Sequence, residues 1–315
     1  MAQTLMLVEK SDHRISWYDL ETGHSIGQPV ALPHFPHEFV VDADSRYAYV
    51  THYGVKNSNI EGTQGRSVIV VDIAAQKAIH SYDTGEHARP HGIGLDAKGR
   101  LYVLSEYTAH MLVKDNPRAF DQGWDRATPT GGRKSHLFAL TGDGDTAYSM
   151  NLESGDVTIF NPRDPHVRPL AIRTGDRPEG RHLSSDGTTL YVANRGSGTV
   201  AIIDTASRSI KRSFPAAPDC HRIYHDQRRN RLITINYLDH SMSIFDEPTG
   251  QEIHRHHFPA YALALHVDPG ENFVFVAIDC QQVQRIDLNT FKITLVLDTG
   301  REPDVMHVLP EGYFV

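Results

Sequence analysis

The chain has 315 residues, 39% of them hydrophobic, with 24 Gly and 17 Pro, ordinary globular proportions that exclude a disordered, collagen-like or low-complexity protein. Lys and Arg number 31 against 39 Asp and Glu, a formal charge of −8, so nucleic-acid binding, which needs a cationic patch, is not expected. Two cysteines, Cys220 and Cys280, make no disulfide framework, and neither a leader nor a run of roughly 20 apolar residues is seen, so a cytoplasmic protein without membrane contact is expected.

Taken in chain order, the sequence opens on a strand at 5–8, followed by an alternating strand at 14–19 that ends in Asp19. The same pair then recurs at 48–51 and 67–72, 101–104 and 110–115, 147–150 and 156–161, 190–193 and 199–204, 232–235 and 241–246, and 274–277 and 282–287. Each second member ends in Asp or Asn, and these seven positions lie 41 to 53 residues apart. A turn such as Ser185-Asp186-Gly187 or Asp268-Pro269-Gly270, and before it a further strand, precede most pairs. A short turn and a fourth strand, such as 292–297, follow. Short β-branched and aromatic runs between Gly, Pro, Asn and Asp turns are strand signals, and no segment carries a sustained apolar period of 3.6.

Four strands in roughly 42 residues, seven times over, predict an all-β fold: a seven-bladed β-propeller with four-stranded antiparallel blades. The final piece, 303–309, reads as a first strand with no complete set of partners after it, whereas the chain begins at a second strand. A C-terminal inner strand plus three N-terminal outer strands would therefore complete one blade and close the ring. That makes residues 1–315 a single domain.

The motifs Pro90-His91-Gly92, Ser185-Asp186-Gly187 running into 190–194, and 199–204 resemble the YVTN-type repeat. That repeat belongs to lactonase-like seven-bladed propellers, a family that includes 6-phosphogluconolactonase relatives and YncE-like binding proteins. The resemblance spans the whole chain. It implies the fold and points towards lactone chemistry. It carries over no catalytic motif, because this superfold hosts several functions.

The unusual number is 20 His. With blades aligned on the start of the inner strand, at Pro36, Pro90, Ser135, Pro178, Cys220, Ala262 and Pro303, the next position reads His37, His91, His136, Glu179, His221, Leu263 and Asp304. Equivalent positions of a propeller form a ring at one depth. Imidazoles and carboxylates converging there suit a divalent transition metal such as Zn, Fe or Mn. His37, His91, His136, His221 and Glu179 are the expected ligands, and Glu179 and Asp304 could serve as orienting partner or general base. Three residues further on, His182, His266 and His307 have opposite parity and are expected to pack between blades.

The turn after each second strand returns to the same face. His52, Tyr53, Glu106, Tyr107, Arg195 and Tyr237 on these turns are expected to bind substrate or move protons. The stretch from Gly54 to Arg66 lengthens the first full blade and is expected to be a loop on that face; a second irregular stretch, Asn116 to Arg133, suggests an outer-strand excursion. The combined expectation is a metal-dependent enzyme with a small, anionic or carbonyl-containing substrate, hydrolysing a lactone or ester or eliminating next to a carbonyl. A four-His metal oxygenase and a non-catalytic protein-binding propeller are the alternatives.

Overall fold

The computed structural model describes residues 3–314. Its strands pair antiparallel into seven four-stranded sheets, a seven-bladed β-propeller. Among the described residues the one helical element is the short 3₁₀ turn Lys10–Asp12. Blade one runs Pro36–Val41, Tyr47–His52, Ser67–Asp72 and Lys77–Asp83, and the innermost strands of the next five blades begin at Pro90, Ser135, Pro178, Cys220 and Ala262. In blade seven the C-terminal Pro303–Leu309 pairs with Thr4–Glu9, which is followed by Arg14–Asp19 and Val30–Ala31. The expected closure therefore forms. The excursion from Asn116 to Arg133 supplies Arg126–Pro129, the outer strand that pairs with His110–Lys114.

The recurrent acid at the end of the third strand has a local cause. Asp19 accepts the backbone N–H of Glu21 and Thr22, Asp204 that of Ser207, and Asp287 those of Asn289 and Thr290. A short carboxylate or amide that captures the backbone two or three residues on sets the tight turn into the outer strand.

The chain divides into two compact units, one of Met1–Ile93, Ala119–Gly123 and Leu263–Val315, the other of Gly94–Arg118 and Trp124–Ala262. In the first unit, period two sends Met6 and Val8 into one apolar cluster with Trp17 and Val50, and Leu5 and Leu7 into another with Phe275 and Val308. In the second unit Leu190 and Val192 join Met150 and Val157, whereas Tyr191 and Ala193 join Phe245 and Ile223. Second strands are thus buried on both faces between neighbouring blades, worth about 1.5–3 kcal/mol for each large apolar side chain.

Two backbone features shape the start of the innermost strand. The residue before it is left-handed in six blades: Phe35, Arg89, Lys134, Arg177, Asp219 and Glu302 have φ between 51° and 58°. That conformation costs a non-glycine residue about 1 kcal/mol or more. It turns the carbonyl towards the turn that follows the second strand. There the N–H of Tyr53 bonds Phe35, Leu152 bonds Lys134, Arg195 bonds Arg177, Tyr237 bonds Asp219 and Lys10 bonds Glu302, at 2.9 to 3.2 Å. The second feature is a β-bulge. Pairing skips between Pro36 and Phe39, Ser135 and Leu137, Pro178 and Gly180, and Cys220 and Arg222. A bulge sets two residues opposite one, so the residue after the ring position no longer follows simple alternation.

Candidate active site

In the second unit the turn after Leu101–Ser105 delivers Glu106 beside His136, the second residue of the strand Ser135–Leu140. The imidazole Nδ1 lies 2.5 Å from Glu106 Oε2, and both side chains are buried. A carboxylate only accepts, so Nδ1–H donates. Nε2 faces Glu179 Oε1 at 3.8 Å.

Glu179 is 2% exposed. Arg195 Nη1 donates to its Oε2 at 2.9 Å and Arg222 Nη1 to its Oε1 at 2.7 Å. Burial alone would push this carboxyl up. Arg195, with His136 and Arg222, overrides burial and holds it well below the usual carboxylate range. Arg195 is fixed in turn by Asp219, through Nε and, at 3.0 Å, Nη2. Its guanidinium lies 5.4 Å from the centre of the Tyr237 ring, which stacks on Tyr261 at 4.3 Å.

Gly180 makes this possible. A Cβ there would come within 2.9 Å of His221 O and of Arg222 Cα. The innermost strands of blades four and five approach so closely only because that carbon is missing, and Arg222 can then reach Glu179. His221 is buried too and bears electrostatically on Glu179.

In the first unit His37 and His91 pack with ring centroids 4.3 Å apart. Glu38 joins them, and the three offer donor atoms all within 4.8 Å of one another. Asp304 Oδ2 is 3.4 Å from His37 Nδ1 and 3.2 Å from Lys10 Nζ, and Lys10 also lies 3.2 Å from Glu302. Burial opposes the Lys10 charge, but Asp304 and Glu302 outweigh it and raise the ammonium pKa. Tyr53 lies fully buried, edge-on to both imidazoles at 5.4 and 5.1 Å.

The loop begun by Gly54 closes at its neck, where Gly65 N–H bonds Tyr53 O. Arg89 grips it through the carbonyls of Ser58 and Ile60.

The expected residues thus fall into two local groups. One joins Glu106, His136, Glu179, Arg195, Tyr237 and His221; the other joins His37, His91, Tyr53 and Asp304. His52 is half-buried, bonds Ser67 through Nδ1, and has its pKa lowered by burial. Tyr107 is 61% exposed. Of the other histidines, His182 packs 4.6 Å from Tyr224 on the next blade, and His266 lies 5.5 Å from His307. His225 sits on the innermost strand Cys220–Asp226, 4.8 Å from the Tyr191 ring.

Glu38 and Arg222 were not among the expected residues. Each follows a ring position and is the second residue of a bulge, where strict alternation would have turned it away. Lys10 and Glu302 join the site through contacts between residues nearly 300 positions apart.

No family model matches the sequence, and no curated protein does either. Solved structures do share the fold. The periplasmic gluconolactonase of Pseudomonas aeruginosa superposes with a TM-score of 0.78 at 16% identity, covering 98% of this chain and 99% of that one. A Bacteroides fragilis protein provisionally named a 6-phosphogluconolactonase gives 0.76 at 15%, covering 98% of each. Hydrazine synthase of Kuenenia stuttgartiensis gives 0.76 at 17%, covering 92% of this chain and 93% of that one. At these identities the likeness establishes the fold. Among the described residues no helix is long and apolar enough to cross a membrane.

Proposed function

We propose that this chain hydrolyses a lactone or a related cyclic ester. The observation that carries the reading is the buried Glu106–His136 pair, whose Nδ1 is committed and whose Nε2 points at a carboxylate held ionised by two arginines. With Nδ1–H committed to Glu106, Nε2 is the nitrogen that would act as general base. His136 Nε2 takes a proton from water as the water oxygen bonds to the lactone carbonyl carbon. Glu106 stabilises the imidazolium that results. The ring C–O bond then breaks, His136 returns the proton to the departing alkoxide oxygen, and a hydroxy acid leaves.

Arg195 and Arg222 hold the Glu179 carboxylate in place facing His136. The gluconolactonase named above supports this reaction class through its shared fold. The reading carries a metal requirement as well: a divalent transition ion would supply Lewis acidity towards a carbonyl or a water. The same base could instead remove a proton next to a carbonyl, which gives elimination as the second reaction the dyad could run.

The test is hydrolysis of a panel of γ- and δ-lactones followed by proton release. The wild-type chain is expected to open at least one, and His136→Gln to lose roughly 100-fold or more in kcat/KM. A wild-type protein that opens none of them, or a His136→Gln variant as fast as wild type, refutes the proposal.

A further inference from the structure

We infer that His37, Glu38 and His91 form a binding site for a divalent transition cation of the zinc class, with Asp304 as the fourth donor through a carboxylate oxygen. This goes beyond the hydrolase reading and stands without it.

The first argument is spacing. A tetrahedral ion with bonds of roughly 2.0–2.1 Å holds its donor atoms about 3.3–3.5 Å apart. His37 Nδ1 lies 3.4 Å from Asp304 Oδ2 and 3.9 Å from Glu38 Oε1. The donors of His37, Glu38 and His91 all fall within 4.8 Å of one another. These separations leave room for an ion between the groups after small side-chain shifts.

The second argument is burial and charge. His91 is fully buried, and His37 and Glu38 are 8% and 7% exposed. The buried carboxylates Asp304 and Glu302 both pair with the buried ammonium of Lys10. Lys56 approaches Glu302 at 3.7 Å, but its side chain is half-exposed. Buried charge is tolerated when it is paired or coordinates a metal.

The third argument is rigidity and donor chemistry. Tyr53 braces both imidazoles edge-on, and the bulge after Pro36 places Glu38 beside His37. Two imidazole nitrogens with carboxylate oxygens suit zinc, and iron or manganese less selectively. Here the Lys10 ammonium sits on the Asp304 oxygen that would turn to the ion. An arriving cation would share Asp304 with Lys10, which keeps Glu302 as its other partner.

The test uses the full-length protein after chelator treatment and dialysis. Zn2+ binding is followed by calorimetry, and Co2+ binding by its visible d–d absorption. One ion per chain is expected. Glu38→Gln and His91→Gln should each weaken binding by about 100-fold or more, and Asp304→Asn by about 10–100-fold. His136→Gln should bind as wild type does, whereas a ring of four histidines would lose affinity with that variant. The far-ultraviolet β spectrum of each variant shows whether it has folded, and Glu38→Gln, the most conservative in shape, serves if His91→Gln has not. Absence of stoichiometric binding, or binding that Glu38→Gln leaves unchanged, overturns the metal site. Lactone hydrolysis by the ion-free protein, read separately, bears on the hydrolase reading and not on this one.

Discussion

Acid should destabilise this protein in part through two histidines that play no part in the proposed chemistry. Burial, with His225 and Arg181 nearby, lowers the His182 pKa from 6.5 to about 4, and burial with His307 nearby lowers that of His266 to about 3. His266 Nε2 accepts the Val308 N–H at 3.4 Å, a bond that needs the unprotonated ring. Both folded pKa values lie below the unfolded one. The unfolded chain therefore binds more protons below pH 6.5, and stability present above that pH is lost as pH falls, levelling off below the folded values. Between about pH 7.5 and 5.0 the linkage amounts to roughly 2 kcal/mol for each ring, an upper figure because both keep some solvent contact. Urea unfolding at the two pH values measures it. His182→Gln and His266→Gln should each shrink the acid loss by up to about 2 kcal/mol, additively, because the two sites share no partner. Variants whose stability falls with acid as steeply as the wild type would refute the argument that these rings are held neutral by burial between blades.

Glu179→Gln removes the anion between two guanidinium groups and should cost about 3–5 kcal/mol near neutral pH, towards the lower end because Asp219 still holds Arg195. Its folded pKa is depressed, so the wild-type advantage is present above the unfolded carboxyl pKa and fades as pH drops through the folded value; denaturant midpoints at several pH values would trace the convergence. Gly180→Ala forces a methyl against the blade-five backbone and should cost about 1–3 kcal/mol by the same assay. It should also lower the rate of the proposed lactone opening by displacing Arg222 from Glu179.

The fold was legible in the sequence, and the starts of its innermost strands to the residue. All seven innermost strands begin at the positions given by aligning the repeats, because β-propeller blades restate one local code: an alternating strand, a turn-forming Asp, an outer strand. The ring closure followed from a lone first strand at the C-terminus and a missing one at the N-terminus.

The site was only partly legible. His37 with His91, and Glu106 with Arg195 and Glu179, were found because they occupy equivalent places in the repeat. Glu38 and Arg222 were missed because a bulge breaks the parity on which side-chain direction was judged. Tyr53 is fully buried against His37 and His91, but neither a turn residue's burial nor the Lys10–Asp304 pairing is written in local sequence. Both depend on how distant blades approach.

The most direct measurement of the central claim is kcat/KM for lactone opening as a function of pH, in wild type and in Glu106→Gln. The account predicts that losing this carboxylate lowers kcat/KM by about 100- to 10,000-fold, because His136 loses both its orientation and the partner of its charged form. It also predicts that the ionisation seen in the wild-type profile moves or disappears. A Glu106→Gln protein with the wild-type profile and rate would contradict it and remove His136 from the chemistry.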